Sequence, residues 1–232
     1  MKTETQKEES VVETNMARRS FLRYAGVGVA SAGLLATAAC HKDHAVAISG
    51  AIDIGSGDIG ILNYAYALEQ LEAAFYTQVI ATPYSGISVT EKTMLTSIRD
   101  HEICHRNFFK AALAANAIVA LTPDFSSIDF TSRTSVLGAA KAFEDTGVMA
   151  YDGAGYLIKN AAYLTLAGKI VSVEARHAAY IRDLITPGSF AGSDVIATNG
   201  LNNSLTIAQV LAIANTYLKT KVSASSYNYF TS

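Results

Sequence analysis

Apolar residues recur along the chain at the spacing of buried helices, and polar breaks separate five such segments. The strongest run is Ile61–Ile80, which is apolar on most sides. Three further long runs cover roughly Thr90–Leu121, Ser135–Lys159 and Tyr163–Ile185, and a last helix is predicted near Leu205–Leu218. Runs of this length, bounded by Gly, Pro and Ser, predict an all-α fold.

The connections between the helices predict their arrangement. Short loops follow the first and third helices, so each of these helices forms an antiparallel hairpin with the next one. The middle connection, near 122–134, has about 13 residues and reaches roughly 43 Å when extended. A helix of about 25 residues is roughly 38 Å long, so this connection can cross the whole bundle. We predict a four-helix bundle over residues 61–185, with a linker at 41–60 and a one-helix C-terminal extension at 186–232.

The first 40 residues have the pattern of an export signal. Arg18 and Arg19 precede Phe21, and an apolar run rich in glycine and alanine follows from Tyr24 to Ala39. Adjacent arginines before such a run resemble a twin-arginine signal. The run has about 16 residues, whereas a membrane-spanning helix needs about 20. We therefore predict export by the twin-arginine pathway to the periplasm or cell envelope.

Two interpretations of the end of this signal stay open. Residues 37–40 resemble a lipoprotein box, which would make Cys40 a site of lipidation and anchor the protein in the envelope. Cleavage after Ala38 would instead release a periplasmic protein. In either case, contact with a membrane is expected only through the signal or the lipid.

Composition narrows the classes of function. The formal net charge is −2 over 232 residues, so the chain lacks the excess of positive charge that is typical of a nucleic-acid-binding protein. The two cysteines, Cys40 and Cys104, cannot form a CxxC site or a disulfide framework. Cys104 is expected to be a small buried apolar residue of the second helix. The expected partner is a small molecule, and an oligomer is compatible with the sequence.

Acidic residues inside the apolar helices supply the candidate chemistry. Glu69 has no Lys or Arg three or four positions away, and burying it as an unpaired ion would cost several kcal/mol. The second and fourth helices each carry an E-x-x-H pair, whose members share one helical face. The third helix carries one further Glu. This set is the ligand pattern of di-iron and di-manganese carboxylate bundles. The candidate metal ligands are Glu69, Glu102, His105, Glu144, Glu174 and His177.

The two predicted hairpins repeat one pattern. Tyr76 follows Glu69 by seven residues, and Tyr151 follows Glu144 by seven. In each half, the next helix contributes the E-x-x-H pair. Two such hairpins related by a pseudo-two-fold axis would direct four carboxylates and two imidazoles to one point. Glu72, one turn from Glu69, is an alternative ligand, but the repeat favours Glu69.

A zinc-protease motif overlaps this pattern. Residues 101–105 read H-E-x-x-H, which would use His101 and His105 as ligands and leave Glu102 as a general base. The extension toward a third histidine is missing, because Phe108 and Ala111 stand where Gly and His are required. This interpretation also leaves the other candidate ligands unexplained. We therefore expect His101 to lie on the outer face and its removal to have little effect.

Residues 63–76, NYAYALEQLEAAFY, resemble the first helix of the exported ferritin-like-domain family, which includes plant desiccation-related proteins. The resemblance covers about residues 58–185, and bacterioferritin and rubrerythrin are more distantly similar. It implies a ferritin-like bundle that holds two metal ions, iron or manganese, on the six ligands.

The same resemblance implies roles for individual residues. Glu102 and Glu174 would be the bridging carboxylates. Tyr76, Tyr151 and Glu72 would be neighbours of the metal ligands rather than ligands themselves.

The activity implied by such a centre is oxidation of ferrous iron, or reduction of dioxygen or peroxide, as stress protection in the cell envelope. A manganese pair that disproportionates peroxide is a variant of this hypothesis. The alternative is a non-enzymatic envelope stress or desiccation-related protein whose metal site is vestigial or structural. Metal content measured together with turnover distinguishes the two hypotheses.

Overall fold

The computed structural model describes residues 48–227, which form four long helices and a short fifth one. The export signal, Cys40 and the first part of the predicted linker lie outside these residues. The predicted all-α bundle of two antiparallel hairpins, with a crossover and a C-terminal helix, is confirmed. The helices are α1 (Gly57–Ala81), α2 (Val89–Leu113), α3 (Arg133–Ala154), α4 (Ala161–Ile185) and α5 (Ile207–Ala214). Short 3-10 turns cover Ala114–Asn116, Gly155–Leu157 and Asn215–Tyr217.

Helix α1 is the buried centre of the fold. Every residue from Gly60 to Ala73 is buried, which explains why this segment is apolar on most sides. The residues that pack around it come from the other bundle helices, from the crossover and from α5. Among the described residues, no helix is long and apolar enough to cross a membrane.

Helix α2 ends at Leu113, eight residues before the end that the sequence predicts. Two buried side chains of α1 hold the following backbone in a non-helical path. Asn63 donates to the carbonyl of Asn116 at 2.9 Å and accepts from the backbone N–H of Ile118 at 2.9 Å. Gln70 accepts from the N–H of Leu121 at 2.8 Å. These tertiary hydrogen bonds override the helical preference of the alanine-rich sequence.

Side-chain caps mark the starts of helices α2 and α4. Ser88 caps α2 by accepting from the N–H of Glu91 at 3.1 Å, so the helix begins before the predicted start at Thr90. Asn160 caps α4, accepting from the N–H of Ala162 at 2.8 Å. Such caps satisfy amide groups that have no partner within the helix.

The C-terminal extension is attached to the preceding part of the chain at Leu205 and at Val222–Ser223. The N–H of Leu205 donates to the carbonyl of Met149 in α3 at 3.1 Å, and Gly153 leaves room for this approach. A Cβ atom on Gly153 would lie 1.8 Å from the carbonyl oxygen of Leu205. Further on, β2 (Val222–Ser223) pairs in parallel with β1 (Ile52–Asp53), beside the start of the bundle.

A buried arginine of α4 forms ion pairs with both α3 and the C-terminal extension. Arg182 of α4 is 3 % exposed and donates to Asp145 of α3 at 2.6 Å. It also pairs with Asp194 of the extension, and Lys141 lies 3.2 Å from Asp145. Because Asp145 is the neighbour of Glu144, this network fixes α3 against α4 next to the candidate ligands.

Candidate metal centre

The six candidate ligands converge inside the bundle. Four of the helices each direct one or two of these side chains inward, and the carboxylates of Glu69, Glu102, Glu144 and Glu174 are all 0 % exposed. Two groups of four donor atoms result, and the atoms of each group lie within 4.8 Å of one another. One group comprises Glu69, Glu102, His105 and Glu174, and the other comprises Glu102, Glu144, Glu174 and His177. Glu102 and Glu174 belong to both groups.

The contacts around the two histidines mirror each other. His105 Nδ1 lies 2.7 Å from Glu174 Oε1 and 3.4 Å from Glu69 Oε2. His177 Nδ1 lies 2.8 Å from Glu102 Oε1 and 3.6 Å from Glu144 Oε2. Each histidine therefore approaches most closely the E-x-x-H glutamate of the other hairpin, as the pseudo-two-fold repeat in the sequence requires.

Atoms without hydrogen-bond partners fit a pair of cations. Within the described part of the chain, six carboxylate oxygens and two imidazole nitrogens of this cluster are buried and have no hydrogen bond of acceptable geometry. Leaving such atoms unpaired is costly in a protein interior. They divide into two sets of four, each made of one histidine nitrogen and the three carboxylate oxygens around it, with one oxygen of Glu102 and one of Glu174 in each set. Carboxylate and imidazole donors suit iron or manganese.

Two tyrosine hydroxyls donate hydrogen bonds to the two carboxylate oxygens of the six ligands that are not among these eight atoms. The hydroxyl of Tyr76 donates to Glu144 Oε1 at 2.5 Å, and that of Tyr151 donates to Glu69 Oε1 at 2.6 Å. Each tyrosine thus orients the glutamate of the other hairpin that belongs to only one donor group. This leaves the second oxygen of Glu69 and of Glu144 for a metal ion.

Glu72 is buried beside the cluster but belongs to neither donor group. A Cβ atom on Gly147 would lie 3.1 Å from Glu72 Oε1, so the carboxylate packs against this glycine. Gly147 holds in the second repeat the position that Glu72 holds in the first, because Gly147 follows Glu144 by three residues and Glu72 follows Glu69 by three. The missing side chain on α3 makes room for the extra carboxylate on α1.

Burial and mutual repulsion disturb the ionisation of these groups. Desolvation, together with the charge of Glu174, raises the pKa of Glu69 well above its ordinary value. Desolvation and the charges of the four cluster glutamates do the same to the pKa of Glu72. Burial alone would lower the pKa of His105 and of His177, but contact with the surrounding carboxylates outweighs it and raises both. Without metal, the cluster therefore holds protons where cations would otherwise sit.

His101 is exposed, as the sequence predicts, but it touches the cluster. Its Nδ1 lies 2.9 Å from His177 Nε2, and the two rings stack with centroids 5.1 Å apart. With a metal ion in place of the proton on Nδ1 of His177, Nε2 of the same ring would keep its proton and could donate it to His101 Nδ1. The sequence did not predict this contact, and the effect of removing His101 stays a prediction. The sequence did contain an indication that His101 lies near the cluster. His101 precedes His105 by four residues, and this spacing places both on one side of α2.

Cys104 is exposed, so the prediction of a buried cysteine is wrong. Glu102 faces the core, and a residue two positions later on a helix points to nearly the opposite side. The helical geometry that buries Glu102 therefore turns Cys104 to the surface.

The comparisons with known proteins agree with this geometry. The family model of the ferritin-like domain matches residues 57–187, which is more than half of the chain and includes all six candidate ligands. No curated protein matches the chain. With its four-helix bundle and its buried cluster of glutamates and histidines, the chain belongs to the ferritin-like domain family.

Proposed function

We propose that the chain holds two iron ions and uses them to oxidise ferrous iron or to reduce dioxygen or peroxide. One observation carries this proposal: eight buried donor atoms without hydrogen-bond partners divide into two sets of four that share Glu102 and Glu174. A single structural cation would not need two imidazoles on opposite sides of two shared carboxylates. The set also lacks the thiolate ligands that are typical of structural zinc sites.

The protein residues have separate tasks in this centre. Glu102 and Glu174 would hold the two ions at a fixed separation, and His105 and His177 would each complete one side. Two ferrous ions held in this way would supply one electron each to the oxidant. Tyr76 and Tyr151 keep the non-bridging glutamates oriented, and the burial of the cluster keeps bulk water away.

Metal stoichiometry tests the proposal most directly. The protein should be purified without a metal-binding tag, loaded anaerobically with ferrous iron, and then exposed to dioxygen or to hydrogen peroxide. We expect two irons per chain and an absorbance change on oxidation. Glu174→Gln should lower both the iron content and the rate, because it weakens both sets of donors.

Asp100→Asn is the matched control. Asp100 lies on α2 close to Glu102, but its exposed carboxylate pairs with Arg99 at the surface. It should bind and oxidise iron as the wild type does. Two bound irons without turnover would support the non-enzymatic alternative, and a strong preference for manganese with peroxide disproportionation would support the manganese variant. Failure to bind either metal would contradict the proposal.

We further propose that the centre acts in the cell envelope, after export by the twin-arginine pathway, as part of stress protection. Arg18 and Arg19 before Phe21 support this proposal. Replacing both arginines with lysine should retain the precursor in the cytoplasm, and undiminished export would contradict the route. Labelling with a lipid precursor would decide whether Cys40 is acylated.

A further inference from the structure

An apolar cavity of about 40 Å³ lies next to one side of the metal cluster. Residues of all four bundle helices line it, and three of them are one helical turn from a candidate ligand. Ala65 precedes Glu69 by four residues, Phe109 follows His105 by four, and Ile170 precedes Glu174 by four. Tyr151, whose hydroxyl donates to Glu69, also lines the cavity. The cavity therefore adjoins the half of the cluster that contains Glu69 and His105.

The cavity exists because the two repeats differ at one large side chain. Phe75 follows Glu69 by six residues, and Ala150 follows Glu144 by six. Phe75 is fully buried and fills its side of the bundle, with its ring centroid 4.9 Å from that of Phe143 and 5.9 Å from that of Phe125. Ala150 is at the equivalent place and leaves a hollow. An aromatic cluster thus fills one side of the pseudo-symmetric bundle, and a cavity occupies the other.

Size and polarity restrict what this cavity takes. An apolar cavity of roughly 150 Å³ can bind benzene or xenon, and one water needs about 10–15 Å³. An apolar cavity of intermediate size stays dry and suits a small apolar molecule. Its lining has no charged side chain. Hydrogen peroxide needs several hydrogen-bond partners, and the only polar side chains in this lining are three tyrosines, whereas dioxygen needs no such partners.

We propose that this cavity takes up dioxygen and delivers it to the Glu69 and His105 side of the metal centre. The proposal rests on the proposed function, since it names dioxygen rather than peroxide as the oxidant admitted there. Phe108 also lines the cavity and is 39 % exposed, which places one wall at the surface of the bundle. Tyr151 lines the part of the cavity that is next to the ligands, since its hydroxyl donates to Glu69.

Xenon binding tests the cavity independently of activity. Crystals of the full chain under xenon pressure should show xenon between Ala65, Ala150 and Ile170. Ala150→Phe copies the residue of the filled side and should abolish that xenon site. Ala150 is fully buried, so a phenylalanine there can also disturb folding. Ala112→Phe is therefore a second variant, at an alanine that lines the cavity and is itself exposed. Its neighbour Ala111 is exposed and does not line the cavity, so Ala111→Phe is the matched control.

Oxidation kinetics of the iron-loaded variants then test delivery. Ala150→Phe and Ala112→Phe should slow oxidation by dioxygen about tenfold and leave oxidation by hydrogen peroxide nearly unchanged. Ala111→Phe should match the wild type with both oxidants. Absence of xenon from the wild-type cavity, or an unchanged dioxygen rate in variants that have lost xenon, would overturn the proposal. If the loaded wild type oxidises nothing, the proposed function and the delivery role fail together, while xenon occupancy would still show an apolar gas site.

Discussion

The hydroxyl of Tyr76 in the first hairpin donates a 2.5 Å hydrogen bond to Glu144 Oε1 in the second. The reverse pairing, from Tyr151 to Glu69 Oε1, has nearly the same length at 2.6 Å. The two bonds cross between the hairpins, so each half of the repeat orients a carboxylate of the other. The order of the cluster therefore depends on how the hairpins dock, as well as on the spacing within each helix.

Removing either tyrosine hydroxyl should weaken metal binding. Tyr76→Phe leaves Glu144 Oε1 buried without a donor, which costs about 1–3 kcal/mol. A lost partner of a metal ligand commonly lowers metal affinity by about 10–100-fold. We expect Tyr151→Phe to have a similar effect through Glu69. Metal titration of the apoprotein measures both effects.

Tyr66→Phe is the control for the tyrosine variants. Tyr66 is a buried tyrosine of α1, and in the described part of the protein its hydroxyl is not bonded to a cluster carboxylate. Its removal should leave metal affinity within about twofold of the wild type. Equal losses in all three variants would mean that the hydroxyl groups stabilise the bundle rather than orient the ligands.

The two histidines of the H-E-x-x-H segment should differ in importance. His105→Ala removes a candidate ligand and should reduce the iron content from two toward one per chain. His101→Ala removes only the group that contacts His177 Nε2, so we expect affinity at that side to fall by about tenfold. Iron stoichiometry at limiting and at saturating iron separates these effects. A variant His101→Ala that cannot bind metal at saturation would favour the zinc-helix interpretation.

Without metal, the protein should lose stability as the pH rises. Burial raises the pKa of Glu144 from 4.5 to about 8, so the stability that its protonated form contributes is complete below pH 4.5 and is lost towards pH 8. The raised pKa values of His105 and His177 act in the same direction above pH 6.5. The lowered pKa of Glu102 acts only in acid, between 4.5 and about 2.

Thermal unfolding of the apoprotein measures this dependence. The melting temperature should be highest near pH 5 and should fall by roughly 5 °C or more between pH 5.5 and pH 8.5. The iron-loaded protein should show a much smaller change, because bound cations replace the protons of the cluster. A melting temperature of the apoprotein that is flat or rises over this interval would contradict the assigned protonation.

Gly153 should tolerate no side chain. Gly153→Ala would place a Cβ atom 1.8 Å from the carbonyl oxygen of Leu205, which forces the C-terminal extension away from α3. We expect a loss of about 3 kcal/mol of unfolding free energy. Gly138→Ala, on the exposed surface of the same helix with open space around it, should be neutral or stabilising by about 0.5–1 kcal/mol. Urea unfolding of both variants measures the difference.

Helical periodicity explains why the sequence predicted the convergence of the cluster. Glu102 and His105 share a face because of their spacing, and Glu69 and Glu144 were identified because the second half repeats the first. Such information is local, or it is carried by the repeat. The choice of Glu69 over Glu72 followed from the repeat, and the structure places only Glu69 in a donor group.

Features that depend on distant partners were not predictable in this way. The end of α2 depends on Asn63 and Gln70, which lie more than 50 residues before the backbone amides of Ile118 and Leu121 that they bind. A local preference scale assigns helix to this alanine-rich stretch and contains no information about those amides. The cavity beside Ala150 likewise follows from comparing two packed sides of the bundle, and a single alanine in a helix does not indicate it.

The pairing of β1 with β2 has a consequence for how the chain is made. Asp53 accepts hydrogen bonds from the hydroxyl of Ser225 at 2.5 Å and the N–H of Ser226 at 3.0 Å, so residues near the two limits of the described chain meet. During synthesis the four bundle helices leave the ribosome before β2 does, so this closure must wait until residues 222–226 have emerged. A ribosome stalled before Ser223 would therefore present a bundle whose N-terminal strand is still unpaired. Pairing of β1 with β2 thus closes the fold only after all four bundle helices have been made.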